Sequence, residues 1–365
     1  MIEKINKTPK WSPAADETVP SETEWTFITG GELLDTTYQC TPLITGLLGE
    51  QETLLICGGS GIGKSLMTNG IGLTAGCPDK RMLWGHFPIP TQLKTLFIQA
   101  ENSDHAVQSR LKAMSDGNPS MEKAARENLI YPKVNGTSRV QGNLSNEQFM
   151  KSIAQIMKNA GVKLIVIDPL ISYAGADEND NTRMRMALDN LGELMEETGA
   201  SVILVHHLGK ANTKGIQGGR GAQSISDWAA NIVKLEPIKG YEDGSKLIVH
   251  HQKARNFEIR ERQFTLQRTA NLLYVPADDV MDKAEENKIK EVTKALDALK
   301  GEVSKQAELS TALEQVTGWS SSEAQRNIKL AANKGAIEEF SGTGRAKGYR
   351  LPQTSSPQFE MDEAA

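Results

Sequence analysis

GGSGIGKS, residues 58–65, sits between an apolar run at Thr53–Cys57 and a helical pattern, and it decides the fold. It fits G-x-x-x-x-G-K-[ST], a loop that wraps phosphates, in the strand–loop–helix context that gives the match meaning. Glycines let backbone N–H groups close around phosphate oxygens, and the amino end of the following helix adds a favourable dipole. Lys64 is placed to neutralise the β- and γ-phosphates of a nucleotide, and Ser65 to offer its hydroxyl to Mg²⁺. The candidate nucleotide contacts are Gly58, Gly59, Ser60, Gly61, Ile62, Gly63, Lys64, Ser65 and the adjoining Leu66. A functionless glycine-rich turn would match by chance on the order of once in a hundred chains of this length.

Two acids extend this site. In KLIVIDP (163–169) four apolar residues end in Asp168. That aspartate would emerge at the carboxyl edge of a central strand, where ligands bind in such sheets, and would hold the water shell of Mg²⁺. In TLFIQAEN (95–102), Glu101 follows the next strand after the loop. A carboxylate there can orient and deprotonate an attacking water. An ordinary strand-end acid is the bland reading.

Outward from these motifs, strands and helices alternate. The runs Thr95–Ile98, Leu129–Tyr131, Lys163–Ile167 and Ser201–Val205 are continuous rather than alternating, as in buried parallel strands. Ser145-x-x-Gln148 reads as a capping box before a helix stopped by Gly161, and Met184, Leu188, Leu191 and Met195 form a second helical stripe ended by Gly199. Such stripes are core packing. The alternation predicts an α/β fold with a mostly parallel central sheet. Ile232–Leu235, Lys246–His251, Gln263–Gln267 and Leu272–Val275 read as an antiparallel extension.

Residues 283–351 read as a separate unit: helices at 283–300 and 304–316, a third capped by Ser320 and ending at Gly335, then a hairpin around GTGRAKG (342–348). Three helices and a hairpin resemble a small C-terminal winged-helix domain. The expected organisation is a disordered segment 1–24, an ATPase core 25–280, the winged helix 283–352 and an acidic disordered tail 353–365.

Bulk properties narrow the class. The chain has 365 residues, a net charge of −5 and 24% charged residues, so it does not coat nucleic acid by bulk charge. Residues 283–351 are locally basic, with 12 Lys and Arg against 10 Asp and Glu. No apolar run approaches the roughly 18 residues that span a bilayer. Cys40, Cys57 and Cys77 lack metal-ligand spacing and read as reduced thiols, which with no secretory pattern points to the cytoplasm.

Taken together, GGSGIGKS, FIQAEN with Arg110 nine residues after Glu101, LIVIDP, and SVILVHHLGK followed by GRGAQSISDWA resemble the RepA helicase family. These are RecA-like P-loop ATPases related to DnaB-type replicative helicases. The resemblance covers about residues 25–275. It implies Glu101 as catalytic base and His207 as a sensor of the γ-phosphate, with His206 its alternative because adjacent strand residues face opposite sides. It implies that the loop GKANTKGIQGGRG (209–221) lines a ring channel, with Lys210 and Lys214 on the backbone of single-stranded DNA. KARNF (253–257) resembles a segment whose Lys and Arg reach a neighbouring subunit's γ-phosphate, here Lys253 and Arg255; Arg220 and Arg110 are rivals for that role.

The resemblance therefore implies an ATP- and Mg²⁺-dependent homo-hexameric DNA helicase, serving replication of a plasmid, phage or similar element. The rival is a RecA-like DNA-binding ATPase that does not unwind, such as a recombination mediator or regulatory switch. A metabolic P-loop kinase is disfavoured, since nothing resembles an acceptor-binding lid. In the winged helix, Arg326, Lys329, Arg345, Lys347 and Arg350 would meet origin duplex DNA, or the domain would bind a replication protein.

Overall fold

The computed structural model describes residues 28–37, 41–79, 81–175, 181–208, 219–259, 261–277, 281–342 and 346–352. Segments 1–24 and 353–365, Lys210, Lys214 and Arg345 lie outside them. The chain divides into two compact units, 1–40 and 41–365. In the first, helix α1 (Gly30–Asp35) starts at a capping box between Thr29 and Glu32.

The second unit begins with two short strands, β1 (Pro42–Ile44) and β2 (Leu48–Gly49). β3 (Thr53–Gly58) leads through the glycine loop into α2 (Lys64–Gly76). A small hairpin, β4 (Arg81–Leu83) and β5 (Phe87–Ile89), precedes β6 (Thr95–Gln99). Then come α3 (Asp104–Ser115), α4 (Pro119–Glu127), β7 (Leu129–Ile130), α5 (Glu147–Ala160), β8 (Leu164–Asp168), α6 (Asn181–Thr198) and β9 (Ser201–His207). After α7 (Gly219–Trp228) the chain forms β10 (Asn231–Pro237), β11 (Lys246–Ala254), β12 (Gln263–Arg268) and β13 (Tyr274–Pro276).

Nine of these strands form one sheet in the order β13-β12-β11-β10-β3-β9-β8-β6-β7. The run from β10 to β7 is parallel and β11 to β13 are antiparallel, so the fold is the expected α/β, RecA-like P-loop core with a mostly parallel sheet. Successive side chains of a strand face opposite sides. Leu54, Ile56, Phe97, Val166 and Ile203 pack with α2 on one face, while Leu55, Cys57, Ile98, Ile167 and Leu204 pack with α5, α6 and α7 on the other. Because both faces are covered, the central strands read as unbroken apolar runs.

Two local expectations need correction. α5 is capped by Asn146, whose side chain accepts from Phe149 N, rather than by Ser145. Asn143 takes up Ser145 N in a tight turn, so the capping box does not form. The strand expected at Leu272–Val275 lies at Tyr274–Pro276, since Leu272 adopts φ 61° and closes a turn onto Thr269 O.

The C-terminal part runs α8 (Lys283–Ala298), β14 (Glu302–Val303), α9 (Gln306–Thr317), α10 (Ser321–Asn333), β15 (Glu338–Ser341) and β16 (Lys347–Arg350). Its three strands pair in the order β14-β16-β15, and Leu296, Leu309, Leu313, Ile328 and Tyr349 build its own core. It is docked on the large sheet: Glu286 of α8 accepts from Lys246 Nζ and from the Tyr241 hydroxyl, and Lys283 lies over the Tyr241 ring. Among the described residues no helix is long and apolar enough to cross a membrane.

Candidate active site

The carboxyl ends of β3, β6, β8 and β9 lie at one sheet edge: Gly58 pairs with His207, and Gln99 with Asp168. The glycine loop leaves that edge, turning with Gly61 at φ 78° and Gly63 at φ 93°. Gly63 is required twice over, for its left-handed backbone and because a Cβ there would lie 2.2 Å from the Tyr274 hydroxyl. As the first flanking residue of α2 it has no side chain to cap the helix, so the helix amino end faces the loop.

Lys64 is buried beneath this loop. Its ammonium donates to Gly58 O at 2.9 Å and Gly59 O at 2.6 Å, and lies 3.1 Å from His207 Nδ1. An ammonium has no acceptor, so Nδ1 must accept, which leaves the imidazole proton on Nε2. His207 thus touches the lysine of the glycine loop. His206, on the other face, is pushed down to about 4 by burial, with the charges of His207 and Lys64 adding to the effect.

Asp168 is also buried. Burial raises its pKa and Glu101 adds to this, while a hydrogen bond with Ser65 and the charges of Lys64 and Arg110 oppose it. Ser65 and Asp168 therefore offer a hydroxyl and a carboxylate side by side, hard oxygen donors suited to Mg²⁺. Glu101 stands exposed just past β6. Its turn is pinned by Gln99, whose Nε2 donates to Asn102 O and Ser138 O at 2.9 Å and whose Oε1 accepts from Asn102 N at 2.7 Å.

Arg110, on α3, points toward the same centre, and its Nη1 is buried without a hydrogen-bond partner. Lys64, Ser65, Glu101, Asp168, His207 and Arg110 are thus brought together. Lys253 and Arg255 are not among them. Both donate to the last carbonyls of α7: Lys253 to Ser226 O at 2.8 Å and Asp227 O at 3.2 Å, and Arg255 to Asp227 O. Ala254 pairs with Asn231, which pairs with Leu54 at the start of β3. Arg220 lies in the first turn of α7. Arg326 and Lys329 are exposed on α10. Lys347 is paired with Glu339 at 2.7 Å, and Arg350 with Glu338 at 2.8 Å.

The sequence reading missed Tyr274, whose hydroxyl lies 3.3 Å from Ile62 O in the glycine loop and donates to Gly244 O at 2.9 Å. The antiparallel extension therefore curves back over α2. Tyr274 sits 211 residues beyond Gly63, so no local pattern could signal it. Gln99 carries a signal only in hindsight, as a polar residue ending a buried strand.

The site makes a pH prediction. Burial lowers the Lys64 ammonium to about 8, although Asp168, Cys57 and Glu101 oppose it. Bound polyphosphate favours the charged lysine and so raises that pKa. Affinity is then full below about 8 and falls as pH rises above it. The Kd for ATP should climb by up to about tenfold per pH unit above that point. Calorimetry in buffers of different ionisation enthalpy should show proton uptake on binding; an unchanged Kd over this range would contradict it.

The AAA domain family matches residues 23–213, just over half of the chain, and that span holds the glycine loop, Glu101, Asp168 and His207. A KaiC-like protein from the hyperthermophilic archaeon Pyrococcus horikoshii is similar over 65% of this chain and 99% of that one, at 17% identity and a TM-score of 0.46. No curated protein matches the chain. With its phosphate loop, lysine and paired acids in place, this chain belongs to the AAA domain family, a nucleotide-binding P-loop ATPase.

Proposed function

We propose that the chain is one subunit of a homo-hexameric DNA helicase of the RepA and DnaB type, serving replication of a plasmid, phage or similar element. The placement of Lys253 and Arg255 supports this reading best. They lie at the amino edge of the parallel strands, with about 13 Å of β3 between them and the glycine loop. They cannot serve their own P-loop, but they are free to face a neighbour's. Arg110 is the opposite case, coupled to its own subunit's Asp168.

In the proposed cycle Lys64 exchanges its carbonyl acceptors for β- and γ-phosphate oxygens. Mg²⁺, held by Ser65 and through water by Asp168, would neutralise charge at those phosphates when bound. Glu101 takes a proton from the attacking water. His207 loses its contact to Lys64 when the lysine turns to phosphate, and so registers the γ-phosphate; the proposed DNA contacts, Lys210 and Lys214 of the 209–221 loop, lie outside the described residues. A labelled forked duplex should lose its strand on addition of ATP. ATP hydrolysis stimulated by single strands without strand release would favour the non-unwinding reading, a recombination mediator or regulatory switch.

The order of elements in the C-terminal part supports a winged helix. There, origin duplex DNA would meet Arg326 and Lys329 on α10. Lys347 and Arg350, however, are already neutralised by Glu339 and Glu338, which favours a replication protein as its partner.

A further inference from the structure

Segment 253–256 carries both cations of the proposed trans contact, yet β11 ends at Ala254 and leaves Arg255 outside the ladder. Something other than strand pairing must hold it. Asn256 supplies the link: its Nδ2 donates to Oε1 of Glu52. Glu52 is only 6% exposed, and its Oε2 accepts from Gly49 N and Asn231 Nδ2, each at 2.9 Å. These donors are all neutral groups. A buried carboxylate served by neutral donors alone is costly, and native cores keep one where its geometry is needed. Asn231 shows the same bias, turning its amide nitrogen to Glu52 and leaving Oδ1 buried with no partner.

The geometry points to Glu52 as a positioning residue for ATP hydrolysis at the neighbouring subunit: through Asn256 it fixes segment 253–256 so that Lys253 and Arg255 project together. This inference rests on the trans reading given above. Two acceptor oxygens are needed, because one carboxylate ties three chain segments, at Gly49, Asn231 and Asn256. An amide in its place keeps one oxygen and turns a donor toward another donor. Without the anchor the segment has room to drift, since Glu52, Trp228, Arg255 and Asn256 border a cavity of about 390 Å³.

The test uses the full chain and four variants: Asn256→Ala, Glu52→Gln, Arg255→Ala and the double variant Asn256→Ala/Arg255→Ala. Asn256 is exposed, so its replacement removes the link to Glu52 without opening a cavity in the apolar core. Steady-state ATPase is measured where the parental chain is fully assembled, with melting curves and sedimentation alongside. Asn256→Ala and Glu52→Gln should each lower kcat by about 10²-fold, the scale of a 1 Å misplacement, with KM for ATP unchanged. The double variant should be no slower than Arg255→Ala alone, because a misplaced side chain already absent cannot be lost twice. A purely structural role would give losses that multiply, or a lowered melting point with kcat intact, and either overturns the inference. If Arg255→Ala collapses while Asn256→Ala keeps the parental kcat, the positioning role fails and the trans contact stands. If Arg255→Ala itself turns over at the parental rate, the trans reading falls and takes this inference with it.

Discussion

On the proposed trans role, Arg255→Ala should lower ATP turnover by about 10³–10⁵-fold, the scale of an arginine supplied to a phosphoryl transition state, with assembly and nucleotide binding unchanged. The expected loss is large because Arg255 makes no contact at its own P-loop. Among the described residues it donates to Asp227 O at an exposed helix end, so removing it costs little stability. In the proposed assembly its charge would act at a neighbour's γ-phosphate. Mixing makes the point sharper. An Arg255→Ala subunit keeps an intact P-loop, and a Lys64→Ala subunit keeps an intact arginine. Mixed rings place the two beside each other and should recover part of the activity. Absence of recovery in rings shown by mass to be mixed would rule out action in trans.

Glu101→Gln separates binding from chemistry. Turnover should fall by about 10²–10⁴-fold, the usual contribution of a positioned base. The Kd for ATP should hardly change, because the amide keeps the side-chain volume and the Gln99 clamp on the turn is untouched. Lys64→Ala should behave differently and lose binding as well as hydrolysis, since it removes the ammonium that sits beneath the glycine loop. Titration with a fluorescent nucleotide beside steady-state ATPase distinguishes the two. Parental turnover in Glu101→Gln would show that another group activates the water.

The phosphate site was legible because its parts are local. Each lies at or just past the end of a buried strand: the loop from Gly59 to Lys64 after β3, Glu101 two residues past β6, and Asp168 closing β8. Where local pattern weakens, so does the reading. α3 and α4 carry short stripes, Val107, Leu111 and Met114 on one and Met121, Ala124 and Ala125 on the other, set among charged residues, and neither was assigned from sequence. The cap of α5 slipped by one residue because Ser145 and Asn146 are both good caps, and the turn formed by Asn143 decides between them. Lys253 and Arg255 came from resemblance alone; only strand register places them at the far edge. Glu52 with Asn256 and Tyr274 with Ile62 are partners 204 and 212 residues apart, chosen by sheet order rather than by neighbours in the chain.

Glu286 gives α8 two allegiances. Its apolar side completes the small C-terminal core, while its carboxylate neutralises Lys246 on the large sheet, where the lysine side chain is 11% exposed. The turn before Lys246 holds Gly244, pressed against Ile62 of the glycine loop, and Tyr241, held by Glu286. A cut at residue 282, natural on sequence grounds, would therefore pass through a shared ionic joint. The excised ATPase would lose the Glu286 carboxylate from Lys246, a few residues from the turn that abuts its phosphate loop. Residues 41–365 hold together as one compact unit, and the Glu286 joint is one of the contacts that make a cut at 282 costly on both sides.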